Sequence, residues 1–208
     1  METEQVTEIL DRLGAEYPQA KCALHHENVF QLLTATMLSA QTTDKRVNMI
    51  TPALFRDYPD AFALAQADPE TIAGYIRSIG LYRNKSKNLV AMAQKLVVDY
   101  DGEVPDNMKE LVKLPGVGRK TANVVLADGF NQPHIAVDTH VQRVSNRIGL
   151  VHEKDVLHTE KSLMQTIPED RWISTHHVLI FHGRNCCTAR NPQCESCCIR
   201  DLCEHNNL

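Results

Sequence analysis

The sequence predicts an all-α fold, and three observations carry that prediction. Long segments repeat apolar residues at i, i+3, i+4 and i+7, the spacing of a helix with one buried face. No stretch alternates apolar and polar residues as a half-buried strand does. Short Gly, Pro and Asp turns separate the segments, with no low-complexity linker and no internal repeat. The 208 residues, 43% hydrophobic and 23% charged, suffice for one large domain or for two small ones sharing a substantial core.

In chain order, residues 3–17 place Val6, Ile9, Leu10 and Leu13 on one helical face. Val29–Leu38 is nearly all apolar, which predicts a central helix buried on most sides. Ser39–Asp44 is a polar loop in which Thr43 or Asp44 is placed to cap the helix through Val47–Phe55. Asp68-Pro69 opens a helix around Ile72 and Ile76, because proline suits the first helical position. A glycine turn, Ser78-Ile79-Gly80-Leu81-Tyr82, precedes a helix whose apolar face is Leu89, Met92, Ala93, Leu96 and Val97. Helical patterns resume over Val137–Ile148, Val156–Ile167 and Trp172–Phe181.

Charge and composition exclude several classes. No apolar run reaches membrane-spanning length, and the N-terminus is acidic (Glu2, Glu4, Glu8, Asp11), unlike a signal peptide. A cytoplasmic protein with no membrane partner is expected. The net charge of −4 does not advertise nucleic-acid binding, but distribution matters more than the sum. Arg83, Lys85, Lys87 and Lys95 have no acidic residue among them, so basic charge can be sorted onto one face. Aromatic residues at 5% argue against a stacking platform for single strands.

The most informative stretch is Leu114-Pro115-Gly116-Val117-Gly118-Arg119-Lys120-Thr121-Ala122. An amphipathic run, Met108, Leu111 and Val112, leads into it. Pro115 then breaks the helix, since it has no N–H and disfavours a helical residue before it. Gly116 and Gly118 are expected to allow positive φ and close approach by another molecule. Thr121–Ala127 reads as a second helix that Asp128-Gly129 closes. Such a helix–hairpin–helix aims backbone N–H groups from Gly116, Val117, Gly118 and Arg119 outward, an arrangement suited to a phosphate. Lys120 reads either as a solvated lysine at a helix start or as a reactive amine.

Two further constellations lie downstream. Asp138, in Ile135-Ala136-Val137-Asp138-Thr139-His140-Val141-Gln142-Arg143, stands where a helix N-cap is expected. A cap is the simplest role for it, yet a carboxylate with the Lys120 amine is a usable pair for chemistry at a sugar carbon. His140 and Arg143 read as structural or phosphate-contacting. Six of the seven cysteines lie between 186 and 203, and an odd total without a signal peptide argues against a disulfide framework. Cys187-x6-Cys194-x2-Cys197-x5-Cys203 puts four thiols within seventeen residues, in a polar segment. That predicts a tetrathiolate metal site, for zinc or for an iron–sulfur cluster. Spacing alone leaves the metal and the register open, because Cys186 and Cys198 adjoin the set. Cys22 stands apart as a buried or free thiol.

Together and in this order, these stretches resemble the endonuclease III family of DNA glycosylases. The resemblance spans essentially the whole chain and includes the Ser39–Asp44 loop and the turn Gly80-Leu81-Tyr82-Arg83-Asn84-Lys85. It implies two helical lobes with a DNA-binding cleft between them. Residues 21–133 would form a six-helix barrel ending in the hairpin, and residues 1–20 with 134–208 an iron–sulfur lobe. It further implies a [4Fe–4S] cluster on Cys187, Cys194, Cys197 and Cys203. Lys120 would be the nucleophile and Asp138 its carboxylate partner. Gln41 would fill the gap left by an extruded nucleotide, Leu81 would wedge against the opposite strand, and Arg190 would lie near phosphates.

The implied activity is removal of oxidised pyrimidines from duplex DNA, followed by β-elimination at the abasic site through a lysine Schiff base. A pyrimidine that has lost aromaticity stacks poorly and is cheaper to flip out. The implied partner is duplex DNA with damaged pyrimidines or abasic sites; the chain is expected to act as a monomer, on the nucleoid in a prokaryote. Three alternatives stand beside this reading. An adenine glycosylase of the same superfamily would lack the lysine and carry a glutamate where this chain has Thr34-Ala35-Thr36. A non-catalytic hairpin module with a structural metal would use Lys120 as a phosphate contact. An electron-transfer iron–sulfur protein would have no DNA affinity.

Overall fold

The computed structural model describes residues 1–206; Asn207 and Leu208, the end of the expected 134–208 segment, lie outside the described residues. Every regular element among the described residues is helical, as the sequence predicts. No helix there is long and apolar enough to cross a membrane. Contacts divide the chain into two compact units, Met1–Cys22 with Gln132–Leu208, and Ala23–Asn131. The first unit opens with α1 (Thr3–Glu16), which buries Val6, Ile9, Leu10 and Leu13 as its spacing requires.

In the Ala23–Asn131 unit, α2 (Val29–Ser39) is buried from Phe30 through Leu38, and Asn28 caps it by accepting from the Gln31 N–H at 2.9 Å. Next, α3 (Asp44–Asp57) is capped by Thr43, which accepts from the Arg46 N–H. A short α4 (Ala61–Ala65) follows, capped by Asp60. Five residues are too few to show a helical period, so this helix left no apolar pattern to find. Asp68 caps α5 (Pro69–Ile76). The long α6 (Tyr82–Tyr100) packs against α2, α4 and α5 and buries Leu89, Met92, Ala93 and Leu96.

The hairpin helices are shorter than the apolar pattern suggests. α7 (Met108–Leu111) is one turn, and Val112, expected on its buried face, is 43% exposed. α8 (Arg119–Val124) passes directly into a π turn, Val125–Gly129, whose buried Val125, Leu126 and Ala127 continue the expected helix against α2. A Cβ on Gly129 would stand 3.1 Å from a Val29 methyl, so glycine permits that approach.

The remaining helices complete the first unit: α9 (Thr139–Ile148), α10 (Val156–Thr166) and α11 (Trp172–Asn185). α11 packs on both α1 and α9. Val6, Ile9, Leu10 and Leu13 share one core with Val141, Val144, Ile148, Leu179 and Ile199. Full burial of such side chains contributes roughly 1.5–3 kcal/mol each. Cys187, Cys197, Cys198 and Cys203 pack against this core, which anchors the C-terminal segment.

Candidate active site and metal centre

In the hairpin, Val117 donates its N–H to the Leu114 carbonyl at 3.1 Å, closing the turn. Gly116 sits at φ 76°, and a Cβ there would lie 2.9 Å from Asn88 Cβ and 3.0 Å from Met37 Cε. Glycine is required at this position by both conformation and space. Gly118 differs from the expectation of positive φ: it has φ −93°, ψ 174° and open space where a Cβ would be. It is the N-cap of α8, a position that extended backbone fills without strain. Val117 is also corrected in part, since its side chain is buried and its N–H is engaged in the turn. Arg119 and Lys120, the first two residues of α8, are exposed. The Lys120 amine therefore stands at a helix start, directly behind an exposed glycine turn.

Gln41 and Leu81 share an unusual backbone state. Each is a non-glycine residue with positive φ, 56° and 59° respectively, and each is exposed. Such conformations concentrate where function demands them. In the turn before α6, Leu81 rather than Gly80 takes the left-handed conformation. Lys85 departs from the expected basic face altogether. It is buried, and its ammonium donates to the carbonyls of Leu38 and Ala40 at 2.8 and 2.6 Å and to the Thr42 hydroxyl at 3.2 Å. Burial holds it below the ordinary lysine value. Lys95 pairs with Asp99 on its own helix, so Arg83 and Lys87 are what remains of that face.

Asp138 is the N-cap of α9. Its Oδ1 accepts from both the His140 and Val141 N–H groups at 2.8 Å, which leaves Oδ2 outside the cap. One carboxylate can thus hold a helix start and present an oxygen elsewhere. Arg143, expected on DNA, is bound inward instead. It donates to the carbonyls of Gly183 and Cys187 at 2.8 and 3.0 Å and to His140 Nδ1 at 3.2 Å. Arg147, one turn further on α9, donates to the carbonyls of Thr188 and Ala189 at 2.7 and 2.9 Å and approaches Cys187 Sγ at 3.7 Å. Two guanidinium groups at i and i+4 therefore grip the start of the cysteine segment. Arg190 is exposed.

None of the seven cysteines is in a disulfide. Cys187, Cys194, Cys197 and Cys203 all line one recess, with Cys186, His182 and Arg147. No carboxylate lines it; its donors are soft thiols and the imidazoles of His182 and His205, and four of those thiols make the set that iron–sulfur clusters use. The guanidinium beside Cys187 opposes the negative charge that four thiolates bring. The residues fit a cluster. Sequence reasoning passed over Lys85 as an internal cation, and it passed over Arg147 and His182; for Arg147 the i, i+4 spacing from Arg143 was the available signal.

The fold, the hairpin and the cysteine recess define a helical DNA-repair protein with an iron–sulfur centre. The HhH-GPD superfamily model of base excision DNA repair proteins matches residues 34–169, and the iron–sulfur binding domain of endonuclease III matches residues 187–203. Endonuclease III of Bacillus subtilis (strain 168) is 49% identical over 201 residues, 96% of this chain and 92% of that protein. Endonuclease III of Escherichia coli (strain K12) is 43% identical, covering 95% and 94%. A trapped endonuclease III–DNA covalent intermediate superposes with a TM-score of 0.94 at 47% identity, over 100% of this chain and 98% of that one. The chain belongs to the endonuclease III family. It is a DNA glycosylase and abasic-site lyase, and its cofactor is a [4Fe–4S] cluster.

Proposed function

We propose that Lys120 is the nucleophile of this reaction and that its substrate is duplex DNA carrying an oxidised pyrimidine or an abasic site. The neutral amine attacks C1′ of the deoxyribose, and the bond to the base breaks with its electron pair leaving on the base. The added amine gives up a proton, the C1′–O4′ bond breaks with its electron pair and a proton going to O4′, and the resulting iminium acidifies C2′. Loss of a C2′ proton then expels the 3′ phosphate by β-elimination. Asp138 is the carboxylate of the same reaction, acting through the oxygen that the cap leaves over; it takes a proton or faces positive charge on the sugar. The observation that carries this reading is an exposed amine at the start of α8, behind the glycine hairpin, in a chain so similar to a protein trapped covalently on DNA.

The other assignments follow the same reading. Gln41 fills the vacated position in the duplex, and Leu81, 56% exposed, intrudes on stacking and offsets part of the few kcal/mol that unstacking costs. The turn at Gly116, Gly118 and Arg119, which Val117 closes from within, lies on the phosphate backbone, with His140 and Arg190 as further contacts; Arg143 acts by positioning the cysteine segment. Cys187, Cys194, Cys197 and Cys203 hold the cluster, which supplies a rigid cross-link for that segment. The work is done in the cytoplasm, on the nucleoid, by a monomer.

Borohydride present during turnover on a duplex with one oxidised pyrimidine should leave protein and DNA covalently joined. Peptide mapping should place the link at Lys120, and Lys120→Gln should bind an abasic-site analogue but lose both the trap and strand cleavage. A crosslink at Lys87 or Lys113, or cleavage by Lys120→Gln, would overturn the assignment.

A further inference from the structure

We propose that the chain carries a second, alternative metal site, His182–Cys186–Cys197, that takes a single zinc ion when the cluster is absent. A ring nitrogen of His182 and the sulfur atoms of Cys186 and Cys197 all lie within 4.8 Å of one another. The Cys197 sulfur is already 3.7 Å from His182 Nε2. Zinc bound tetrahedrally, with Zn–S about 2.3 Å and Zn–N about 2.0 Å, separates its donors by roughly 3.5–3.8 Å. A small contraction closes the trio on one ion.

The site has the supporting groups that such a ligand set needs. His182 is 1% exposed, and its Nδ1 lies 3.1 Å from the hydroxyl of buried Tyr17. Coordination through Nε2 leaves the proton on Nδ1, which donates it to the phenol oxygen; an outer bond of this kind fixes the tautomer and the ring orientation. His182 and Cys186 are four residues apart at the end of α11, tied by the Cys186 N–H donating to the His182 carbonyl at 2.9 Å. Their side chains therefore fall on one side of the helix end. Cys197 comes from the turn that follows Cys194–Ser196. All three residues also line the recess that holds Cys187, Cys194 and Cys203.

Two thiolates and an imidazole select zinc over hard cations such as magnesium. Binding ionises Cys186 and Cys197 and releases two thiol protons. Because Cys197 belongs to both donor sets, zinc and the cluster exclude each other. Zinc would then keep the C-terminal segment pinned to α11 in chains that lack the cluster. The inference rests on the cluster assignment above only through Cys197, and it gives Cys186 a role that the cluster does not use.

The two sets demand opposite residues, which makes the test direct. Full-length Cys203→Ser removes a cluster thiolate and keeps the trio. It should bind Co²⁺, the spectroscopic probe for zinc, at one per chain with tetrahedral d–d bands and thiolate charge-transfer absorption. Adding Cys186→Ser should abolish those bands, and Tyr17→Phe should weaken the binding about 10- to 100-fold. Cys186→Ser alone should retain iron and visible absorption at wild-type levels. If Cys203→Ser is insoluble, the same titration on Cys194→Ser, with and without Cys186→Ser, gives the answer. Equal Co²⁺ binding with and without Cys186, or an octahedral spectrum, overturns the site. Loss of iron in Cys186→Ser also overturns it, and would move Cys186 into the cluster set.

Discussion

The ammonium of Lys85 stands 2.6 Å from the carbonyl oxygen of Ala40, the residue immediately before Gln41. The same side chain reaches the Leu38 carbonyl and the Thr42 hydroxyl, so it holds the loop on both sides of Gln41. Its main-chain N–H donates to the Leu81 carbonyl at 2.9 Å. One lysine thus braces both left-handed residues that the proposed mechanism sends into the duplex.

Replacing Lys85 by Met should leave three acceptors without their donor and destabilise the protein by on the order of 1–3 kcal/mol. Base excision should slow as well. If the effect runs through the loop, Lys85→Met should add little to Gln41→Ala in a double-mutant cycle. Fully additive losses in single-turnover rate would separate the two residues.

Burial lowers the Lys85 pKa, which also sets a pH dependence. Between that lowered value and the unfolded value of about 10.4, the unfolded chain binds more protons than the folded one. Stability from this group therefore rises with pH across the window. The difference in urea midpoint between wild type and Lys85→Met should widen as pH climbs towards 10. A flat or shrinking difference would show that the lysine is not held in this environment.

The two hairpin glycines should separate folding from binding. Gly116→Ala forces a side chain into φ 76° and against Asn88, so it should lower the melting temperature and weaken DNA binding together. Gly118→Ala meets nothing in the protein and should fold normally. It should weaken damaged and intact duplex alike, because backbone contacts carry no sequence information. Normal duplex affinity in Gly118→Ala would remove that turn from the interface.

Asp138→Asn keeps an oxygen to accept from the His140 and Val141 amides, so stability should hold. Asp138→Ala loses the cap and should cost about 1 kcal/mol. Both should react more slowly, by roughly 10²- to 10⁴-fold if the carboxylate moves a proton. Wild-type cleavage by Asp138→Asn would leave Asp138 as a cap alone.

Arg147→Met removes the guanidinium beside Cys187 Sγ along with its bonds to two carbonyls of the cysteine segment. Iron per chain and visible absorption should fall in the purified protein, with the helical content of the rest retained. Full iron occupancy in this variant would show that Arg143 suffices to hold the segment.

The local grammar of this chain was legible because each signal is carried by neighbours in sequence. The spacing of Val6, Ile9, Leu10 and Leu13 shows one helical face, and Thr43, Asp68 and Asp138 stand where helices begin. Four thiols within seventeen residues announce a metal site by density alone. α4 escaped because five residues span little more than one turn and cannot repeat an apolar spacing, and the positive φ expected of Gly118 rested on residue type, which permits that state without requiring it.

By itself, then, the sequence determined an all-helical chain, a glycine hairpin bearing Lys120, a capping Asp138 and a cysteine cluster. Where the charged side chains point was decided only by the tertiary structure. Lys85 finds its acceptors more than forty positions away, at Leu38, Ala40 and Thr42. Arg143 likewise finds the Gly183 and Cys187 carbonyls only once α9 and α11 have packed. Residue type shows that a cation is present. Whether it meets solvent, a phosphate or a buried carbonyl depends on which backbone groups the fold leaves unsatisfied nearby, because a buried carbonyl must find a donor. Position along the chain does not encode that distance.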